Sequence, residues 1–417
     1  MSRFDHFPAA TSANRLRGCR VSSTFCWALI FYAAVLLTNR FEDAPTDPTF
    51  VQGDSLSYLA MAEAVPGLPS DSIGFQYAQR IAIPYVLGGI KRLVPVPPHR
   101  LFQAAVVLLQ LAILFLVCRL LARLGLQRNQ ALIVIAVLVF NPWAFRFYLT
   151  YPEMVNDVGF VAGLALVLDG LLKGSGPAVL SGQLLASLSR QTGLLLLPMT
   201  LLWIARGTAP WSTLPRGTRL AWCTAAAAIA AGVYLTTGQI ASLFAGPSDN
   251  GAHLVGLIDW AINDFDTPTL IIFGARMVVA PALALVLLHG VARRRHGSTG
   301  PTMVLWCGTL CLWAQPLIAG PAITAGSGPR LVALGLLPLV LILAIRLRES
   351  GAFAPDQSWR VGATLALLAM GSFHHQFAAV LPGLDRLMFG MTYATVCVGI
   401  LLLTPTQRQT SRGVVDG

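Results

Sequence analysis

Long stretches that are apolar and nearly free of charge recur along the whole chain, and no soluble globule is built that way. They lie near residues 21–38, 101–121, 131–149, 158–172, 219–236, 268–290, 302–320, 330–346, 360–378 and 387–404. About 20 predominantly apolar residues carry an α-helix across the hydrocarbon core of a bilayer. A shorter pair, near 177–189 and 191–205, reads as two helices broken around Ser189-Arg190-Gln191-Thr192-Gly193. The expected fold class is therefore an all-α polytopic membrane protein of about 12 transmembrane helices. Composition agrees: 11% of residues are charged, where a soluble domain carries roughly a quarter, and 55% are hydrophobic. Disordered, fibrous, disulfide-rich secreted and ordinary cytosolic chains are excluded.

The net charge of +11 does not mark a nucleic-acid surface, because the basic residues punctuate the apolar runs instead of clustering. That spacing belongs to orientation signals at membrane boundaries. The run at 21–38 reads as an uncleaved signal anchor behind a basic tail, which puts the N-terminus inside. Simple alternation then sends Arg119, Arg123, Arg128, Lys173, Arg206, Arg216, Arg219, Arg293–Arg295, Arg346, Arg348, Arg360, Arg408 and Arg412 to the inner side. Of the 18 acidic residues, 13 fall outside: Glu42, Asp43, Asp47, Asp54, Glu63, Asp71, Glu153, Asp157, Asp249, Asp259, Asp264, Asp266 and Asp385. A helix miscounted anywhere would invert the downstream pattern. Both termini are thus expected to be cytoplasmic, with long external loops at about 39–98 and 237–267. The Arg-heavy composition suggests a bacterial inner membrane, whose outer face is periplasmic. The seven cysteines show no CxxC or zinc spacing and read as buried thiols.

In the first external loop, Gly53-Asp54-Ser55 precedes a short amphipathic helix on which Asp54, Tyr58 and Ala62 share a face. Asp54 is also well placed simply to cap that helix. Phe75–Tyr85 brings Arg80 just ahead of an apolar run that stops at Lys91-Arg92, too short to span and suited to the interface. Arg80 is an interface anchor or, alternatively, an anion partner. In the second external loop, Pro152 opens a helix and Glu153 and Asp157 stand four apart, on one face of an α-helix. That pair suits the helix dipole, or else a divalent cation (Mg or Mn), a sugar or a basic group. Arg190 sits at the break between two half-helices. A guanidinium there costs roughly 3 kcal/mol at mid-depth and needs a carboxylate, a carbonyl or a bound anion, unless it snorkels. Arg330, in Gly328-Pro329-Arg330-Leu331, begins an inward-going helix on the outer side, against the charge rule, which makes it an anion-binding candidate. His374-His375 would point apart on a helix, and His253–Phe265 reads as an interfacial amphipathic helix.

These pieces resemble the GT-C superfamily of integral membrane glycosyltransferases, of the aminoarabinose-transferase and protein O-mannosyltransferase type. The resemblance rests on Asp54-x3-Tyr58-x3-Ala62 after the first membrane helix and on the Phe75–Tyr85 segment. It also rests on Leu188-Ser189-Arg190-x-Thr192-Gly193 before an apolar helix with Pro198, and on Arg330 eight residues before the helical Pro338. Ser55 stands where the pattern often has a second acid, and Leu331 where it has Tyr. The resemblance implies that Asp54 accepts the proton of an acceptor hydroxyl, that Arg80, Arg190 and Arg330 hold the donor's lipid phosphate, and that Tyr58, Glu153 and Asp157 position substrate or metal. The donor would be a polyprenyl-phosphate sugar and the acceptor a glycan, lipid or protein outside, with inversion at the anomeric carbon. On that reading residues 1–20 are a cytoplasmic tail, 21–206 a catalytic transmembrane module, 207–404 a second transmembrane module and 405–417 a tail. A lipid-linked glycan transporter or flippase, or a surface-polysaccharide polymerase, is the alternative.

Overall fold

The computed structural model describes residues 13–39, 55–69, 73–246, 250–292, 300–324, 327–372 and 385–404. Asp54, the acids Glu42, Asp43, Asp47, Asp71 and Asp249, the Arg293–Arg295 run, His374-His375, Arg408 and Arg412 lie outside these residues. The fold is all-α, and the strand-like pairing among the described residues is one isolated bridge between Ile73 and Ala245. The first helix, Ala13–Leu37, starts inside the segment expected to be a polar tail, so the basic N-terminal residues extend an apolar helix instead of preceding it.

By length and composition, four described helices can cross a membrane: Pro98–Arg123, Pro152–Lys173, Arg216–Ala241 and Gly300–Pro321. The number rises to six if each of two bent pairs is one span, and it stays below the twelve that the apolar runs suggest. The shortfall has a physical source, because several runs are interrupted. The 131–149 run breaks at Asn141-Pro142 with a 53° bend, and the 268–290 run breaks at Ala280-Pro281 with a 66° bend. Proline removes a helical donor and clashes with the preceding turn. The freed backbone groups are met from within, as an apolar setting requires. Asn141 accepts from the Trp143 N–H at 3.0 Å and donates to the Ala280 carbonyl at 2.6 Å, so one side chain serves both breaks. The 330–346 run is likewise two helices, Gly328–Ala333 and Leu336–Ser350. Several long apolar helices in an all-α fold are what a multi-pass membrane protein has.

Close packing fixes the region around Arg190. Helices Val155–Lys173 and Gly176–Ser189 form a tight antiparallel hairpin, turning at Gly174 with φ 74°. A Cβ on Gly163 would lie 2.5 Å from the Ala186 nitrogen, so only glycine allows the two backbones to approach this closely. After Ser189 the chain adopts an extended residue at Arg190, then a 3-10 segment Gln191–Leu196, then the helix Leu197–Ala205. The expected break is present.

Of the first loop, residues 55–69 and 73–98 are described. Helix Leu56–Ala64 buries Tyr58, Met61 and Ala62, and helix Ala82–Leu93 ends at Lys91 and Arg92. At about 1.5 Å per residue, its 12 residues are too short to span. The 250s segment forms helix Asn250–Asn263, which packs against Gly300–Thr324 around buried Trp260.

Candidate functional site

The site is built around Asp157, in the first turn of the Val155–Lys173 helix and 2% exposed. A carboxylate this deep needs cationic or donor partners, since an uncompensated buried charge is expensive. It has three. Arg190, 2% exposed, pairs with Asp157 Oδ1. Arg330 Nε lies 3.4 Å from Oδ2, and the Tyr148 hydroxyl donates to the same oxygen at 3.4 Å. Arg330 also brings Nη1 to 2.7 Å from the sulfur of Met154.

Arg80 joins from the first loop. Its Nη1 donates to the Tyr58 hydroxyl at 2.8 Å, its Nε to Gln191 Oε1 at 3.0 Å, and its guanidinium lies over the Tyr77 ring at 5.8 Å. Tyr58 and Tyr77 meet edge to face at 6.3 Å. Arg190 is within electrostatic reach of Asp157, Arg80, Arg330 and the Tyr58 oxygen. Five residues singled out in the sequence (Tyr58, Arg80, Asp157, Arg190 and Arg330) therefore belong to one buried polar cluster, drawn from segments up to 272 residues apart. Among the described residues it contains three guanidiniums and one carboxylate.

Some polar atoms beside this cluster lack a hydrogen-bond partner among the described residues: Arg190 Nε, Thr192 Oγ1 and both amide atoms of Asn156, which is fully buried. Buried polar atoms are nearly always satisfied by protein, water or ligand, which sets these four atoms apart from the paired groups around them.

Glu153 stands apart from Asp157. Pro152–Met154 is a 3-10 turn and the α-helix begins only at Val155, so the four-residue spacing does not bring both carboxylates to one α-helical face. Glu153, 1% exposed, pairs with His99 Nδ1 instead. The tautomer follows from the chain of partners. Arg100 can only donate, and its Nη1 reaches Gln103 Oε1 at 2.9 Å. The Gln103 amide nitrogen then donates to His99 Nε2 at 2.8 Å, which leaves the ring proton on Nδ1, facing Glu153. As arranged, Asp157 is engaged by guanidiniums and Glu153 by an imidazole. No group of three or more His, Cys, Asp or Glu able to hold a metal occurs among the described residues. Asp54 lies outside them; Ser55, which follows it, is 1% exposed.

Sequence reasoning missed four residues that the fold makes prominent. Tyr148 and Gln191 serve the cluster directly. His99 gave no signal, being one histidine in a proline-rich turn. Arg146, 3% exposed, donates to the Thr38 carbonyl at 3.1 Å, to Thr38 Oγ1 at 3.0 Å and to Ser372 Oγ at 3.3 Å. An Arg within the apolar run 131–149 was the available clue to it. Cys26, Cys118, Cys223, Cys307, Cys311 and Cys397 are free thiols, but against the expectation of buried thiols Cys26 is exposed and, of the six, Cys118 alone is fully buried. No family model matches this chain, and no curated protein or solved structure matches it.

Proposed function

We propose that this chain is an integral membrane glycosyltransferase of GT-C type, moving a sugar from a polyprenyl-phosphate donor to an acceptor hydroxyl on the outer side of the membrane. The observation that carries the proposal is the pairing of Arg190, at a helix break, and Arg330 with one buried carboxylate, with Arg80 held beside them through Gln191 and Tyr58. Guanidiniums match phosphate oxygens through paired, planar donors. Held in place by Asp157, Gln191 and Tyr58, they need little reorganisation as charge develops on a leaving phosphate, and that preorganisation is a large source of catalysis.

In the proposed reaction the acceptor oxygen attacks the anomeric carbon from the face opposite the phosphate. A carbon–oxygen bond forms there as the bond to the phosphate oxygen breaks, with inversion. The hydroxyl proton passes to the Asp54 carboxylate, the role the resemblance gives it, and polyprenyl phosphate departs as the anion facing the guanidiniums. General-base help of this kind is worth about 10²–10⁴-fold. Asp157 orients Arg190 and Arg330, and no step is assigned to a divalent ion.

The test is sugar transfer in proteoliposomes, with polyprenyl-phosphate and polyprenyl-diphosphate sugars offered separately. Turnover is expected with the monophosphate donor and lost in Asp54→Asn at normal expression. Undiminished turnover by that variant removes Asp54 from the reaction. Translocation of a lipid-linked glycan without any new glycosidic bond replaces the transferase with a flippase.

A further inference from the structure

Gln191 occupies a position that the Leu-Ser-Arg-x-Thr-Gly pattern leaves unspecified, yet its side-chain amide is among the most fully engaged groups in the fold. Its Oε1 accepts from Arg80 Nε at 3.0 Å. Its Nε2 donates to the Gln76 carbonyl at 2.7 Å and to Gln79 Oε1 at 2.8 Å. All three contacts lie on the first-loop segment 76–80, more than 110 residues away in sequence.

The backbone explains how one junction serves two sides. Arg190 has φ −153° and ψ 146°, an extended conformation between two helical segments. Successive side chains of an extended stretch point in opposite directions. Arg190 can therefore reach Asp157 on the Val155–Lys173 helix while its neighbour Gln191 reaches the loop. The Arg80 side chain has its remaining degrees of freedom restricted by the Tyr58 hydroxyl and the Tyr77 ring. Arginine carries roughly 2 kcal/mol of rotamer entropy, and an amide acceptor on Nε removes the rotation that would swing the two Nη groups away.

We infer that Gln191 is a positioning residue: it locks the Arg80 guanidinium, carried by the first loop, into register with Arg190, and so assembles the two jaws of an anion clamp. It touches no substrate, and it acts through Arg80. The inference rests on the reading of this cluster as a phosphate site, and it requires that Gln191 and Arg80 contribute as one unit.

A double-mutant cycle tests this, using polyprenyl phosphate itself as the probe and purified full-length protein in nanodiscs. Arg80→Met and Gln191→Met, which preserve most of the side-chain volume, are each expected to weaken binding about tenfold, the loss of one charge-assisted hydrogen bond or its alignment. The double variant is expected to bind no worse than Arg80→Met alone. In transfer assays Gln191→Met should raise the KM for the donor and lower kcat together, with the same non-additivity against Arg80→Met in kcat/KM that binding shows, a coupling that general loosening of the fold would not produce. Gln79→Met removes one acceptor of the Gln191 amide and should give a smaller loss with the same non-additivity, which keeps the test open if Gln191→Met expresses poorly. Losses that multiply to about a hundredfold in the double variant, or Gln191→Met binding like the wild type, overturn the inference and leave the transferase proposal standing. A non-additive cycle in a protein that transfers no sugar supports the inference while overturning that proposal.

Discussion

One helix, Val155–Lys173, carries a buried aspartate near each end, and the two are served in different ways. Asp169 pairs with Arg119 at 3.2 Å and Arg123 at 3.0 Å, both from the single helix Pro98–Arg123 and four residues apart. Arg123 also donates to the Asp169 carbonyl at 2.8 Å. Those two side chains remain 33% and 22% exposed, so water shares in their solvation. About 18 Å away, at 1.5 Å of rise per residue, Asp157 draws Arg190 from a helix break and Arg330 from a six-residue helix far along the chain. Their side chains are 1% and 9% exposed. The first arrangement is a clip between two neighbouring helices, and any fold that packs them would produce it. The second is assembled from elements with no local reason to meet, at the cost of desolvating several charges.

The sharpest break in this comparison is Asp157→Asn against Asp169→Asn. Removing Asp157 leaves two buried guanidiniums facing each other, and loss of one partner from a buried pair costs about 3–5 kcal/mol. The expected result is a large fall in the thermal midpoint in detergent, together with loss of transfer. Asp169→Asn leaves two arginines that water already reaches, so it should cost less than Asp157→Asn and keep transfer. Equal losses in both variants would erase the distinction drawn here.

Arg190→Lys comes next. It keeps the charge but gives up the planar fork, so turnover is expected to fall about 10²-fold, as for loss of one well-placed donor to a developing anion. The thermal midpoint should move far less than in Asp157→Asn. Gly163→Ala places a methyl 2.5 Å from the Ala186 nitrogen. Overpacking of this kind costs about 1–3 kcal/mol and forces apart the hairpin that carries Asp157 and Arg190. Donor binding should weaken, while a disulfide or spectroscopic probe across the Arg119–Asp169 contact reads little change. The smallest expected effect is that of chelation: EDTA should leave transfer unaltered, because Asp157 is engaged by guanidiniums and Glu153 by His99. A strict Mg or Mn requirement in that assay would return those carboxylates to metal binding.

Much of the site was legible in advance because buried charge is conspicuous in an apolar chain. Arg190 and Arg330 stood out as guanidiniums where hydropathy or topology disfavours them, and Asp157 as a carboxylate at the edge of an apolar run. Tyr58 followed from helical spacing with its loop neighbours. Gln191, Tyr148 and His99 were not legible, since an uncharged amide, a phenol or a lone imidazole has no anomaly until its partners are known. That Glu153 and Asp157 take different partners has a local reason: Pro152 opens a 3-10 turn, and a spacing of four means a shared face only within an α-helix.

The amino-acid sequence by itself determined that the fold is all-α, that several of its helices are apolar enough for a bilayer, and that the 190 region breaks between two half-helices. Each of these depends on composition and local backbone chemistry, which act within a turn or two. Tertiary structure alone decided how many runs stay straight, because a proline or asparagine break is tolerated only where a distant group satisfies it, as Asn141 does for Ala280. It also decided which carboxylate answers which guanidinium. Coulomb attraction ranks partners by distance, and distance between segments hundreds of residues apart exists only once the helices have packed.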